Sequence, residues 1–62
     1  MAAINRILNN TATLRDRRTV ARRLPALSRR QLKLLHEAAA GTKVFGRKAE
    51  IVDATREALL AD

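Results

Sequence analysis

The stretch LSRRQLKLLHEAAAG, from Leu27 to Gly41, commits the chain to one helix before anything else is considered. Ser28 can cap its first turn through the hydroxyl while Gln31 reciprocates, and Leu27 outside the cap can pack on Leu32 as a hydrophobic staple. The helix therefore starts at Arg29, runs through Ala40 and stops at Gly41, which tolerates the left-handed backbone common after a last turn. Leu32, Leu35 and Ala39 line one face, with Leu34 and Ala38 widening it. An isolated helix of this length is marginal in water, so its apolar face requires partners.

A chain of 62 residues makes one small domain, and such domains bury only a modest fraction of their surface. Cysteine is absent from the sequence, so neither a disulfide nor a thiolate-bound metal holds the fold, and an intracellular setting is permitted. Much of the apolar content is alanine, and Phe45 is the only aromatic residue. Helix packing must do the work, and little bulk remains for a deep catalytic pocket. The expected fold is all-α, a small bundle of three to four short helices.

Residues Ala2 to Asn9 read as a short helix with Ile4, Ile7 and Leu8 on one side, interrupted by Asn9, Asn10 and Thr11. Thr13 followed by Asp16 fits a capping box, and Leu14, Val20, Ala21 and Leu24 supply an apolar stripe up to the break before Pro25. This second segment is largely arginine on its other faces. Thr19, Val20 and the mutual repulsion of its arginines leave it in need of docking or a bound anion. Beyond Gly41, residues Thr42 to Arg47 form a connector in which Val44 and Phe45 are expected to plug the helix pair, and Gly46 frees the backbone to turn. The last helix runs from about Lys48 to Leu60, with Ile51, Val52, Thr55, Ala58 and Leu59 inward and Glu50 well placed in its first turn. Ala61 and Asp62 are expected to fray, and Met1 with this ending favours a natural small protein.

Charge is distributed unevenly. Of thirteen lysines and arginines, eight lie in the first thirty residues (Arg6, Arg15, Arg17, Arg18, Arg22, Arg23, Arg29 and Arg30) against Asp16 alone, so the whole excess of +7 sits there. Such a region attracts a polyanion, and nucleic acid is the leading partner. Arginine outnumbers lysine ten to three, which favours phosphate because a planar guanidinium can hold two oxygens at once. Arg15, Arg18 and Arg22 form one stripe at three- and four-residue spacing. Arg29 and Arg30 at one helix start, and Arg47 and Lys48 at the next, stand beside backbone amides that attract phosphate. Lys43 in the connector completes the expected nucleic-acid-binding set.

Catalytic and metal chemistry is not expected. His36 is the only histidine, and Glu37 beside it points in a different direction. Ser28, His36 and Asp53 can be strung into a triad only on paper, because capping already explains Ser28. Glu50, Asp53 and Glu57 share one side of the last helix without a histidine or second acidic cluster, and Arg56 can offset Asp53, so they read as solvated surface. The segment Gly41 to Lys48 lacks the spacing and hydroxyl of a nucleotide-binding loop. No cofactor is expected. The chain has no run of roughly 18 apolar residues, and Met1 to Leu8 is too polar for a secretory signal.

Within Leu27 to Leu60, Leu32 and Leu35 give a leucine pattern on a first helix and Val44 an aliphatic residue in the loop. Gly46, Lys48, Glu50, Ile51 and Leu59 follow as a glycine, a base, an acid and aliphatics on a second helix. In these residues the segment resembles a SAP-type helix-extended-loop-helix module, with LEM-like and Rho-N-terminal-like folds as relatives. The connector is longer than that pattern, and Phe45 is not demanded by it. The resemblance implies a nucleic-acid-binding module over 27–62 with residues 1–26 as a basic helical extension. It also implies duplex DNA as ligand, although some relatives bind RNA or protein.

The expected function is thus non-enzymatic binding of nucleic acid, DNA favoured over RNA, mainly through phosphates and with little base selectivity. A cytoplasmic or nucleoid-associated setting goes with it. An alternative is a protein-binding adaptor or dimerising accessory factor that uses Ile4, Ile7, Leu8 and Leu14 as a helix-in-groove or homodimer contact. That account requires the stripe to stay exposed in the monomer. Adsorption to an anionic membrane is disfavoured, because the apolar side of residues 14–24 is slight.

Overall fold

The computed structural model describes residues 2–61, and side chains from Ala3 to Ala61. The chain is an all-α bundle of four helices, with no strand among the described residues: α1 (Ala2–Leu8), α2 (Leu14–Ala21), α3 (Arg29–Ala40) and α4 (Lys48–Leu60), with a 3₁₀ turn at Leu24–Ala26. Both expected capping boxes form. Thr13 Oγ1 accepts from the Asp16 amide at 3.3 Å and Asp16 Oδ2 from the Thr13 amide at 3.1 Å. Ser28 and Gln31 repeat this exchange at 3.2 and 3.0 Å. Gly41 ends α3 in the left-handed region with φ of 76°. The expected fraying of Asp62 lies outside the described residues.

Leu24, Leu32, Leu35, Ile51, Leu59, Val20 and Thr55 are the largest fully buried side chains. They belong to one core, and Ala3 and Ile7 of α1 reach the same cluster. Helix α1 packs on α2 and α3, and α2 packs on α4. The expected boundary between residues 26 and 27 therefore falls inside a single packed unit. An arginine-rich helix of two turns has no core of its own, so Val20 and Ala21 are stable only against the leucines of the second half.

Two further expectations change. Leu14 is 55% exposed and Leu34 is 49% exposed. Leu14 lies about 200° around the helix from Asp16, whose inward position takes the core side of that first turn. Leu34 is about 100° from Leu35 and falls off the buried stripe.

The connector between α3 and α4 runs back along α3. Thr42 O accepts from His36 Nδ1 at 2.9 Å, Lys33 Nζ stands over the Phe45 ring, and Gly46 O accepts from Arg29 Nη2 at 3.2 Å. The partners retreat from residue 36 to 33 to 29 as the connector advances, so it returns the chain to the start of α3 before α4 begins. Thr55 Oγ1 then reaches Leu32 O at 3.4 Å inside the core. Val44 packs against that core, but Phe45 is 75% exposed, so only one of the two expected plugs is in place. In an extended segment successive side chains point to opposite sides, and burying Val44 turns Phe45 outward.

Candidate nucleic-acid interface

The arginine stripe of α2 forms as its spacing requires. Arg15, Arg18 and Arg22 are exposed and border one shallow groove with Leu14 and Thr19. Arg18 and Arg22 also face Arg56 and Leu60 across a second depression between α2 and α4. Arg56 was expected only to offset Asp53, and its contact with that acid is long, at 3.4 Å, with both groups solvated. Such a pair is worth little, so Arg56 can serve this cluster as a fourth guanidinium. Its position 34 residues after Arg22 left no signal in local spacing.

Arg6 is different. Its Nε donates to Asp16 Oδ2 at 2.7 Å and its Nη2 to Asp16 Oδ1 at 2.6 Å, a two-pronged grip that joins α1 to the start of α2. Asp16 is buried and also accepts from the Thr13 amide. The Arg6 hydrogen bonds first, and then the Thr13 amide, hold the Asp16 carboxyl well below the usual carboxylate range. In return the Asp16 carboxylate raises the Arg6 guanidinium above its ordinary value, through hydrogen bonding and then charge. Arg6 stays half-exposed, but its charge is offset by Asp16, so it adds little to the positive surface that the charge tract suggests. Two residues ten apart in sequence carry no helical register, so only the fold reveals their pairing.

At the other end of α4 the remaining expected residues gather less tightly. Arg29 and Arg30 flank a depression with Lys33, Leu34 and Glu37. Lys43 borders a neighbouring one with Lys33, Glu37, Val44 and Phe45. Lys48 faces Pro25 and Asp53, and Arg47 is exposed at the start of α4. The fold thus divides the expected set in two, with Arg15, Arg18 and Arg22 on the α2–α4 flank and the others around the starts of α3 and α4. Arg56 stands eight residues beyond Lys48, about 12 Å along the helix axis.

Neither helix start is as open as its sequence suggests. Ser28 already serves α3, satisfying the Gln31 amide. No side chain caps α4, but the Glu50 carboxylate folds back over its first turn, where a Cβ on Gly46 would stand 2.6 Å from Oε2. That acid competes with an incoming phosphate for the helix dipole. Side-chain guanidinium and ammonium groups, rather than backbone amides, therefore supply most of the positive potential.

For the alternative contact, Ile7 is in the core and Ile4 packs against it, so the stripe is not displayed; Leu8 and Leu14 remain exposed. The acids Glu50, Asp53 and Glu57 are exposed, and no group of three metal-ligating side chains occurs among the described residues. No described helix is long and apolar enough to cross a membrane. No family model, curated protein or solved structure matches the chain.

Proposed function

We propose that this chain binds nucleic acid without catalysing a reaction, with duplex DNA favoured over RNA. The observation that carries the proposal is the α2 flank. Arg15, Arg18 and Arg22 are exposed on one side of a short helix, and none of them has a carboxylate within ion-pair distance among the described residues. Like charges at this spacing repel one another and weaken a helix. Folding alone gives no reason to collect them, whereas a phosphate backbone turns the repulsion into binding energy.

The second cationic group, Arg29, Arg30, Lys43, Arg47 and Lys48, extends the contact. On α4, Lys48 of this group and Arg56, which faces Arg18 and Arg22, are separated by about 12 Å of helix rise, a span comparable to the roughly 12 Å width of a DNA major groove. Phosphates on either side of a groove would meet one group each. Such binding is sequence-tolerant, because phosphate contacts position a protein without reading bases. The sequence resemblance to helix-extended-loop-helix modules supports the nucleic-acid reading at the level of analogy. A cytoplasmic or nucleoid-associated setting follows from it.

The test is a salt titration of labelled duplex, single-stranded DNA and RNA. With five to eight groups engaged, log affinity falls against log salt with a slope of roughly 4.5 to 7 for duplex. Replacing Arg18 and Arg22 by glutamine lowers that slope by about 2, one for each lost contact. Absence of binding at low salt, or a response flat in salt, refutes the proposal. An unchanged slope in the double variant shows that the α2 flank is not the surface.

A further inference from the structure

Phe45 is the side chain that folding leaves unexplained. It is the only aromatic residue of a chain poor in bulky side chains, and an aromatic ring has about 150–250 Å² to bury. Yet Phe45 is 75% exposed, while leucines, isoleucines and valines fill the core. The ring is nevertheless held in place. Its connector is tied on one side by His36 to Thr42 O and on the other by Arg29 to Gly46 O. Lys33 Nζ stands over the ring, 5.7 Å from its centroid, within the roughly 6 Å reach of a cation–π contact.

The surroundings are cationic. Lys33 and Lys43 border the same depression as Phe45, with Glu37 as the one acid there, and Arg47 follows two residues later. A braced, exposed ring amid ammonium and guanidinium groups suits a ligand that offers a flat π-face and negative charge together. We propose that Phe45 is a stacking platform for an unpaired base, with Lys43 and Arg47 holding the phosphates on either side of that nucleotide. This rests on the nucleic-acid reading above and refines its ligand to a duplex that carries a single-stranded end. Bases inside a duplex are already stacked and present no free face.

Three labelled ligands test it by anisotropy: a blunt duplex, the same duplex with a short single-stranded overhang, and that overhang made abasic. The native protein is expected to prefer the overhang with bases. Phe45→Ala should weaken binding to that ligand about 5- to 150-fold, the range for losing one base–aromatic stack, and leave the other two within twofold. Because the ring is exposed and contributes little beyond its contact with Lys33, the melting temperature should fall by no more than a few degrees. Phe45→Trp should keep the preference, and its indole, the sole fluorophore of that kind in the chain, should be quenched on adding the overhang ligand.

Equal binding of all three ligands by the native protein overturns the inference and leaves the phosphate reading intact, as does an Ala variant that binds like the native chain. A loss that is the same on blunt, abasic and normal ligands also overturns it, since no base is then being read. No binding of any ligand at low salt overturns both.

Discussion

Truncating the chain before Leu27 distinguishes a self-sufficient second half from an interdependent fold. Residues 1–26 place Ala3, Ile7, Val20, Ala21 and Leu24 in the common core, leaving Leu27, Leu32, Leu35, Ile51, Val52 and Leu59 behind. Burying one Val, Leu or Ile side chain is worth about 1.5–3 kcal/mol, so Ile7, Val20 and Leu24 together contribute about 4.5–9 kcal/mol. A domain of 62 residues has a total stability of about 3–9 kcal/mol at 0.05–0.15 kcal/mol per residue. The loss equals the whole margin. A peptide of residues 27–62 should therefore show no cooperative thermal transition by circular dichroism and collapsed amide dispersion by NMR, where the full chain should show a sharp transition and dispersed amides. A sharp melt in that peptide, with dispersed amides, would refute the claim that the N-terminal helices complete the core.

Asp16→Asn tests the Arg6 grip. Because the folded carboxyl titrates below its unfolded value near 3.9, it stabilises the fold fully above that value, and the contribution is lost as pH falls below about 4; the native melting temperature should drop more steeply between pH 5 and pH 2 than that of the variant, and parallel curves contradict the pairing. Thr55→Val keeps the shape of a fully buried side chain and removes only a long 3.4 Å hydrogen bond to Leu32 O, a carbonyl that also serves the α3 ladder. Its stability by urea titration should stay within about 1 kcal/mol of native, while Thr55→Ala, which opens a cavity, should cost more. Leu14→Gln, at a half-exposed site, should change stability by no more than about 0.5 kcal/mol and leave the elution volume on size exclusion unchanged across concentration. A dimer that this substitution dissolves would instead favour the adaptor account.

Much of the helical layout is legible because its signals are local. Thr13 with Asp16 and Ser28 with Gln31 are reciprocal caps whose partners sit three residues apart, a spacing that only a helix start satisfies. Gly41 marks the end of α3 by conformation alone, and the period of Leu32, Leu35, Ile51, Thr55 and Leu59 marks the buried faces. The arginine stripe at 15, 18 and 22 is read by the same rule, since neighbours on a helix surface recur every three or four residues.

What depends on distance along the chain is different. Sequence alone settled that this chain is helical, where its caps lie, and that its positive charge concentrates in one half, because each rests on interactions within a turn or on simple counting. Tertiary structure decided that Asp16 holds Arg6, that Arg56 faces Arg18 and Arg22, and that α1 and α2 share the core of α3 and α4. It also decided that Val44 turns in while Phe45 turns out. Each of these joins residues with no common helical register or resolves which of two adjacent side chains faces the core. Only the packed chain makes that choice, by filling the core with whichever side chains reach it together.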